Sequence, residues 1–372
     1  MVTQARTEMD SVDQGLLNEM QDRFPLVREP FLELAARVGV DEGEVIARLA
    51  AMRDSGVLRQ VSPIFDTKAL GYTSSLVAMR VPEERLAEAA EVVNGHPGVS
   101  HNYRRTHDFN MWFTIAVPPG AELQEHVDAL HRLAGAESTR MLPTLRLFKI
   151  GVTLDMTGER AIDHRSDPQY THESREVAAR HRLTERDIDV IRALQGDLAL
   201  EADPFSAPAG ELGVSVEGLI EELERLREHG YLRRFAAILR HRKAGFGANG
   251  MAVWDVPEGD VLEIGATMAG YTTISHCYQR PKYEDWRYNL FTMIHARKKG
   301  ECEAFVEELS KRHGLDGYAV LYSTTEYKKV RLAYFTPAFE EWERRHLGGI
   351  AAGDGCGTPV MAAVRDEEVA HA

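Results

Sequence analysis

Cysteine is scarce in this chain: Cys277, Cys302 and Cys356 lie far apart and form no Cys-x-x-Cys pair. Three such thiols point to neither a disulfide framework nor an iron–sulfur cluster, and a reducing cytoplasm is the expected location. No apolar run approaches the ~20 residues that a membrane helix requires, and the opening MVTQARTEMDSVDQ lacks the apolar core of a secretory leader. No membrane association is expected. Gly-rich nucleotide loops and the CxxxCxxC pattern of radical clusters are also missing. Positive charge is in deficit, with 44 Lys and Arg against 58 Asp and Glu, a formal −14. Nucleic acids are held by clustered cations that release counterions, so a nucleic-acid partner is not expected. A local basic pocket remains compatible with that balance.

What is present is one unit written twice. Sliding the sequence against itself brings Asp13 onto Asp187, Gln21 onto Gln195, Val38-Gly39-Val40 onto Leu212-Gly213-Val214 and Gly56-Val57-Leu58-Arg59 onto Gly230-Tyr231-Leu232-Arg233. One inserted residue then matches Val81-Pro82 to Val256-Pro257 and His101-x-Tyr103-x-Arg105 to His276-x-Tyr278-x-Arg280; a further insertion matches Phe109-Asn110 to Tyr288-Asn289. A period this long marks a duplicated domain pair rather than a solenoid.

Each copy opens with apolar residues at helical spacing (Leu16, Leu17, Met20; Leu32, Leu34, Ala35; Val45, Ile46, Leu49, Met52), which predicts three short helices. Gly39 and Gly213 separate the second helix from the third, as in a helix-turn-helix, and Thr184-Glu185-Arg186-Asp187 reads as a capping box. The rest of the first copy alternates: strand Tyr72 to Val81, helix Glu83 to Asn94, strands Val99 to Thr106 and Phe109 to Val117, helix Ala121 to Leu133, strand Leu142 to Ile150. That is the βαββαβ, ferredoxin-like order.

The fold class is therefore α+β: two tandem copies of a winged-helix-like helix-turn-helix domain plus a ferredoxin-like domain. Expected boundaries are 10–65 and 66–150 for the first copy, 151–180 for a linker, 181–240 and 241–335 for the second copy, and 336–372 for a C-terminal helix and disordered tail. This architecture resembles the Lrp/AsnC regulators, which makes a transcription factor sensing haem or another small molecule the alternative. Against DNA binding, Ser215 to Glu228 carries Glu217, Glu221, Glu222, Glu224 and Glu228 but only Arg225 and Arg227. Phosphate would repel such a recognition helix.

Chemistry concentrates in Ser100–Asn110 and its echo Ser275–Asn289. Each packs imidazole, phenol and guanidinium between apolar runs. Histidine titrates near neutrality and serves as an acid, while arginine grips carboxylates with a bidentate fork. His101-Asn102-Tyr103-Arg104-Arg105 with Asn110-Met111-Trp112-Phe113-Thr114 resembles one subunit type of siroheme decarboxylase. His276-Cys277-Tyr278-Gln279-Arg280-Pro281, Asp285-Trp286-Arg287-Tyr288-Asn289 and Met293-Ile294-His295 resemble the partner type. The resemblance runs from about residue 10 to 335 and implies a fused pair.

It also implies removal of the C12 and C18 acetate carboxylates of siroheme as CO2, giving 12,18-didecarboxysiroheme for haem d1 or siroheme-dependent haem synthesis. Loss of CO2 leaves a carbon to be protonated, so the site needs an acid and groups that orient the carboxylate. Candidate catalytic residues are His101, His276, Tyr103, Tyr278 and His107. Candidates for substrate carboxylates are Arg104, Arg105, Arg280, Lys282 and Arg287, with Lys149, Lys328, Lys329 and Arg331 further off. Asn110, Trp112, Trp286, Asn289 and His295 complete the pocket, although Trp112 and Trp286 also suit packing and the asparagines suit hairpin closure. No cofactor or protein-bound metal is expected: iron arrives with siroheme as substrate, or with a bound haem, and His101 or His276 is a candidate axial ligand. Expected partners are siroheme and its product, in a homo-oligomer or with a second homologous pair.

Overall fold

The computed structural model describes residues 9–22, 24–150, 177–239, 248–271, 273–296 and 299–348. The expected linker falls largely on residues 151–176 and the expected tail on 349–372, both outside the described residues.

The first copy opens with α1 (Ser11–Asp22), α2 (Pro30–Val38) and α3 (Glu42–Asp54). Gly39 ends α2 at φ 78°, a left-handed conformation that glycine adopts without a Cβ penalty, and the Asp41 side chain caps α3 by accepting from the Glu44 N–H. Strands and helices then follow as β1 (Leu58–Phe65), β2 (Thr73–Arg80), α4 (Leu86–Asn94), β3 (Val99–Arg105), β4 (Met111–Val117), α5 (Leu123–Ala134), β5 (Ser138–Leu142) and β6 (Arg146–Ile150).

The second copy repeats this with α6 (Glu185–Leu194), α7 (Ser206–Leu212), α8 (Val216–Glu228), β7 (Leu232–Leu239), β8 (Ala248–Trp254), α9 (Val261–Gly270), β9 (Ile274–Gln279), β10 (Leu290–Ala296), α10 (Lys299–His313) and β11 (Tyr318–Lys329). The expected capping box is formed at Thr184 and Asp187. Helix α11 (Ala338–His346) closes the described chain.

The two helical domains share one core, in which Leu16, Phe31 and Leu49 join Leu219, Leu223 and Phe235. Their wing strands pair with each other: β1 runs antiparallel to β7, with Val61 opposite Ala237. The ferredoxin-like halves have equivalent strand orders, β5-β2-β4-β3 and β11-β8-β10-β9, joined into nine strands where β3 meets β11 and β9 meets β6. Helices α4 and α5 pack against the first half and α9 and α10 against the second. The opposite faces meet through Ala78, Phe109, Trp112, Trp286, Phe291 and Leu321.

The single strand expected from Leu142 to Ile150 is corrected to two. Pro143 has no N–H to give a ladder, so the chain leaves β2 at Leu142 and re-enters as β6 on β9 of the other copy. The mirror exchange is made by one continuous strand, since β11 pairs with β8 through Tyr322 and with β3 from Ser323 onward.

Candidate active site

In both copies the ladder slips one residue before the histidine. Pairing of β3 with β4 jumps from Val99 to His101, and pairing of β9 with β10 jumps from Ile274 to His276. A bulge lets Val99 and Asn102 face the helices while His101, Tyr103 and Arg105 share the opposite face; Ile274, Cys277, His276, Tyr278 and Arg280 divide in the same way. The bulge serine supports the ring behind it: Ser100 Oγ lies 3.0 Å from His101 Nδ1, and Ser275 Oγ lies 2.8 Å from His276 Nδ1. Each imidazole then tilts over the next ring of its stripe, with centroids 6.2 Å apart for His101 and Tyr103 and 6.1 Å for His276 and Tyr278.

The strand that crosses from the other copy completes each site, and here the copies differ. Lys329 stands opposite His101, whereas Ile150 stands opposite His276. Arg59 of β1 reaches the same place, with Nη2 donating to the Lys329 carbonyl at 3.1 Å. Burial first, then Lys329 and Arg59, push His101 down to about 4, so its resting form is the neutral imidazole. Burial likewise raises the Tyr278 phenol to about 12 and the Cys277 thiol to about 12. Cys277 is thus an un-ionised, buried thiol whose S–H is directed at the Gly265 carbonyl.

At the far end of each stripe sits a buried guanidinium with no carboxylate partner among the described residues. Arg105 and Arg280 are each only 9% exposed. Arg105 donates from Nη1 to the Leu321 carbonyl at 3.2 Å, and Arg280 donates to the Leu142 carbonyl; both Nε atoms lack a partner. Tyr103 lies 5.7 Å from the first and Tyr278 5.0 Å from the second. Burial lowers both to about 10, which still leaves them charged at neutral pH. A buried cation without a counter-ion is costly and is a ready receptor for an anion.

The other predicted residues have different surroundings. Arg104 is ion-paired with Glu83. Lys282 and Arg287 both bind Asp255, at 2.6 and 2.8 Å. Asn110 uses its amide on the Val81 backbone at 3.0 and 2.8 Å, and Asn289 does the same to Val256 at 2.9 Å on both sides. Trp112 and Trp286 are buried together, 5.1 Å between centroids, and His107 contacts Trp286 at 5.1 Å while its Nδ1 accepts from the Phe109 N–H. His295 pairs with Asn249 at the end of β10, and its side chain lies outside the described residues. Lys149 and Lys328 cap backbone carbonyls of Tyr271 and Asn94, and Arg331 is bound by Ser62 and Pro63.

Arg59 and Arg80 escaped the sequence reading. The signal for Arg59 lay in the repeat, where it matches Arg233; for Arg80 it was a charge inversion, since it matches Asp255.

Family models agree with this construction. Residues 69–149 and 243–328 match an AsnC-like ligand binding domain, and residues 13–59 and 187–233 match a siroheme decarboxylase NirDL-like HTH domain. The chain is 42% identical over 330 residues to a siroheme decarboxylase of Hydrogenobacter thermophilus, covering 88% of this chain and 96% of that one. A half-length relative, a siroheme decarboxylase beta subunit of Methanosarcina barkeri, is 37% identical over 148 residues, covering 40% of this chain and 97% of that subunit. A crystal structure of the siroheme decarboxylase NirDL in complex with an iron-uroporphyrin III analogue superposes with a TM-score of 0.72 at 37% identity, covering 92% of this chain and 100% of that one. With two matched half-units in one polypeptide and a long relative aligned from end to end, the chain belongs to the siroheme decarboxylase family.

Proposed function

We propose that this protein decarboxylates siroheme, removing the C12 and C18 acetate carboxylates as CO2 to give 12,18-didecarboxysiroheme. The observation that carries this reading is the doubled stripe of His, Tyr and Arg on facing halves of the nine-stranded sheet, in a chain whose long relative bears the name siroheme decarboxylase. Each loss of CO2 leaves the bond's electron pair on the former methylene carbon, and that carbon takes up one proton to become methyl. His101 and His276 are the assigned acids. Arg105 and Arg280 hold substrate carboxylates, with Tyr103 and Tyr278 between acid and cation.

His101 rests neutral, so it must be charged before it can donate. Carboxylates carried in by the substrate oppose the field of Lys329 and Arg59 and raise its proton affinity. The reaction transfers no electrons, and the iron belongs to the substrate. Relatives that carry one half each are named alpha and beta subunits, which supports a fused chain that supplies both halves itself; it associates further as a homo-oligomer or with a second homologous pair.

Anaerobic incubation of the purified chain with siroheme, followed by mass spectrometry, tests the reading. Loss of two CO2 is expected. Unchanged siroheme together with a salt-dependent shift of DNA would overturn it in favour of a regulator.

A further inference from the structure

The hairpin ends of the two sheets are built alike and charged differently. In both, an asparagine clasps the backbone of the residue just beyond the first strand: Asn110 on Val81, Asn289 on Val256. The residue before that clasp is Arg80 in the first copy and Asp255 in the second. Asp255 draws Lys282 and Arg287 onto itself, closing the second end with ion pairs. Arg80 cannot do this, and the first end keeps a concavity of about 540 Å3 lined by Arg80, Glu83, Arg104, Arg105, His107 and Asn110, among others.

Two carboxylates line that concavity: Glu83 is taken by Arg104, and Asp108 stands beside His107. Among the described residues Arg80 has no ion pair and its buried Nε no acceptor; its guanidinium carbon lies 5.1 Å from the Phe109 ring. Arg105, more than nine-tenths buried, lines the same concavity, and its buried Nε likewise has no acceptor among the described residues. Two guanidinium side chains lining one concavity, neither held by a carboxylate among the described residues, suit a planar anion with two acceptor oxygens.

We propose that this cavity is a carboxylate-binding subsite in which Arg80 and Arg105 hold one carboxylate, and that the second copy has lost its equivalent through Asp255. The inference rests on the decarboxylase reading for the two sources of that group: a side arm of the tetrapyrrole, or free bicarbonate formed from released CO2. Substrate with this additional anchor at one end is seated asymmetrically between two otherwise similar halves.

The test uses the full chain and iron uroporphyrin III as probe, with Soret titration of the parent, Arg80→Met and Arg80→Asp, the last copying the second copy's residue. One charge-assisted hydrogen bond corresponds to about 10-fold in affinity, so Arg80→Met is expected to raise Kd by about that factor and Arg80→Asp by more. In a parallel arm, 13C-bicarbonate line broadening is compared across the same proteins. A weakened probe supports the side arm as source; an unchanged probe with lost bicarbonate broadening supports the free anion. Parental behaviour of both variants in both arms overturns the subsite. Siroheme turnover by the parent is measured alongside, so that a failed subsite and a failed decarboxylase reading give different results.

Discussion

Replacing Arg105 or Arg280 by Met is expected to stabilise the substrate-free protein while crippling it as a receptor. Burial lowers each guanidinium from its ordinary 12.5 to about 10. At 1.36 kcal/mol per pH unit, holding the charge inside costs about 3 kcal/mol. Against this, each arginine has one hydrogen bond to a carbonyl and a nearby tyrosine face, with Phe291 a second ring beside Arg280, together about 2 kcal/mol. A methionine of similar length removes the cost, keeps most of the packing and leaves one carbonyl without its donor. The net gain is about 1 kcal/mol, or roughly 2 °C in the midpoint of thermal unfolding. Removing one charge-assisted anchor weakens binding of iron uroporphyrin III by about 10- to 100-fold. Differential scanning calorimetry and Soret titration measure the two effects. A variant that loses more than about 2 kcal/mol of stability yet binds the probe at parental affinity would refute the reasoning, because the guanidinium would then be a strut.

His101 is neutral at pH 7 in the resting site, being depressed to about 4, so binding of the polycarboxylate probe is expected to draw protons from lightly buffered solution. A pH indicator reads the uptake, His101→Asn diminishes it, and equal uptake by that variant sinks the assignment. In turnover, His101→Ala and His276→Ala are each expected to slow one of the two decarboxylations, seen as accumulation of the singly decarboxylated product by mass spectrometry. A third prediction concerns α11. His96 bonds His126 at 2.9 Å, His126 bonds Glu343 at 3.1 Å, and Trp342 stacks on His126. Burial holds His96 down to about 2 and lowers His126 as well, so the contact is fully stable above the ordinary value near 6.5 and weakens as pH falls below it. Release of α11 between pH 6.5 and 4 should appear as a fluorescence change that Trp342→Phe lacks; a flat signal contradicts it. Finally, a Cβ at Gly265 would stand 2.3 Å from the Phe148 ring that β6 brings from the other copy. Gly265→Leu is expected to cost about 1–3 kcal/mol, with Phe148→Ala relieving part of it; a double-mutant cycle without coupling argues against the crossover.

Local patterns were legible wherever chain neighbours decide the outcome. The three-helix openings, the capping box at Thr184 and helix α11 from Ala338 to His346 depend on residues within a few positions of one another. Spacing i, i+2, i+4 likewise places His101, Tyr103 and Arg105 on one face of a strand whatever surrounds it. The break at Pro143 was visible as a residue, but its consequence was not, since a proline says where a ladder stops and not which strand receives the next segment. Lys282 and Arg287 carried the right charge for a substrate carboxylate, yet their pairing with Asp255 depends on a loop meeting the end of β8, some thirty positions away in sequence.

The sequence by itself determined a duplicated unit, its α+β class and two equivalent stripes of imidazole, phenol and guanidinium, because repetition and strand alternation are properties of the chain alone. Tertiary structure decided how the copies differ. Exchange of β6 and β11 sets Lys329 against His101 and Ile150 against His276, the β1–β7 ribbon lends Arg59 to one of those sites, and Asp255 holds Lys282 and Arg287 at one hairpin end while Arg80 lines a concavity at the other. These contacts join residues far apart in sequence. Burial and charge, the quantities that tune an imidazole or a guanidinium, are set by such neighbours and not by the residues on either side.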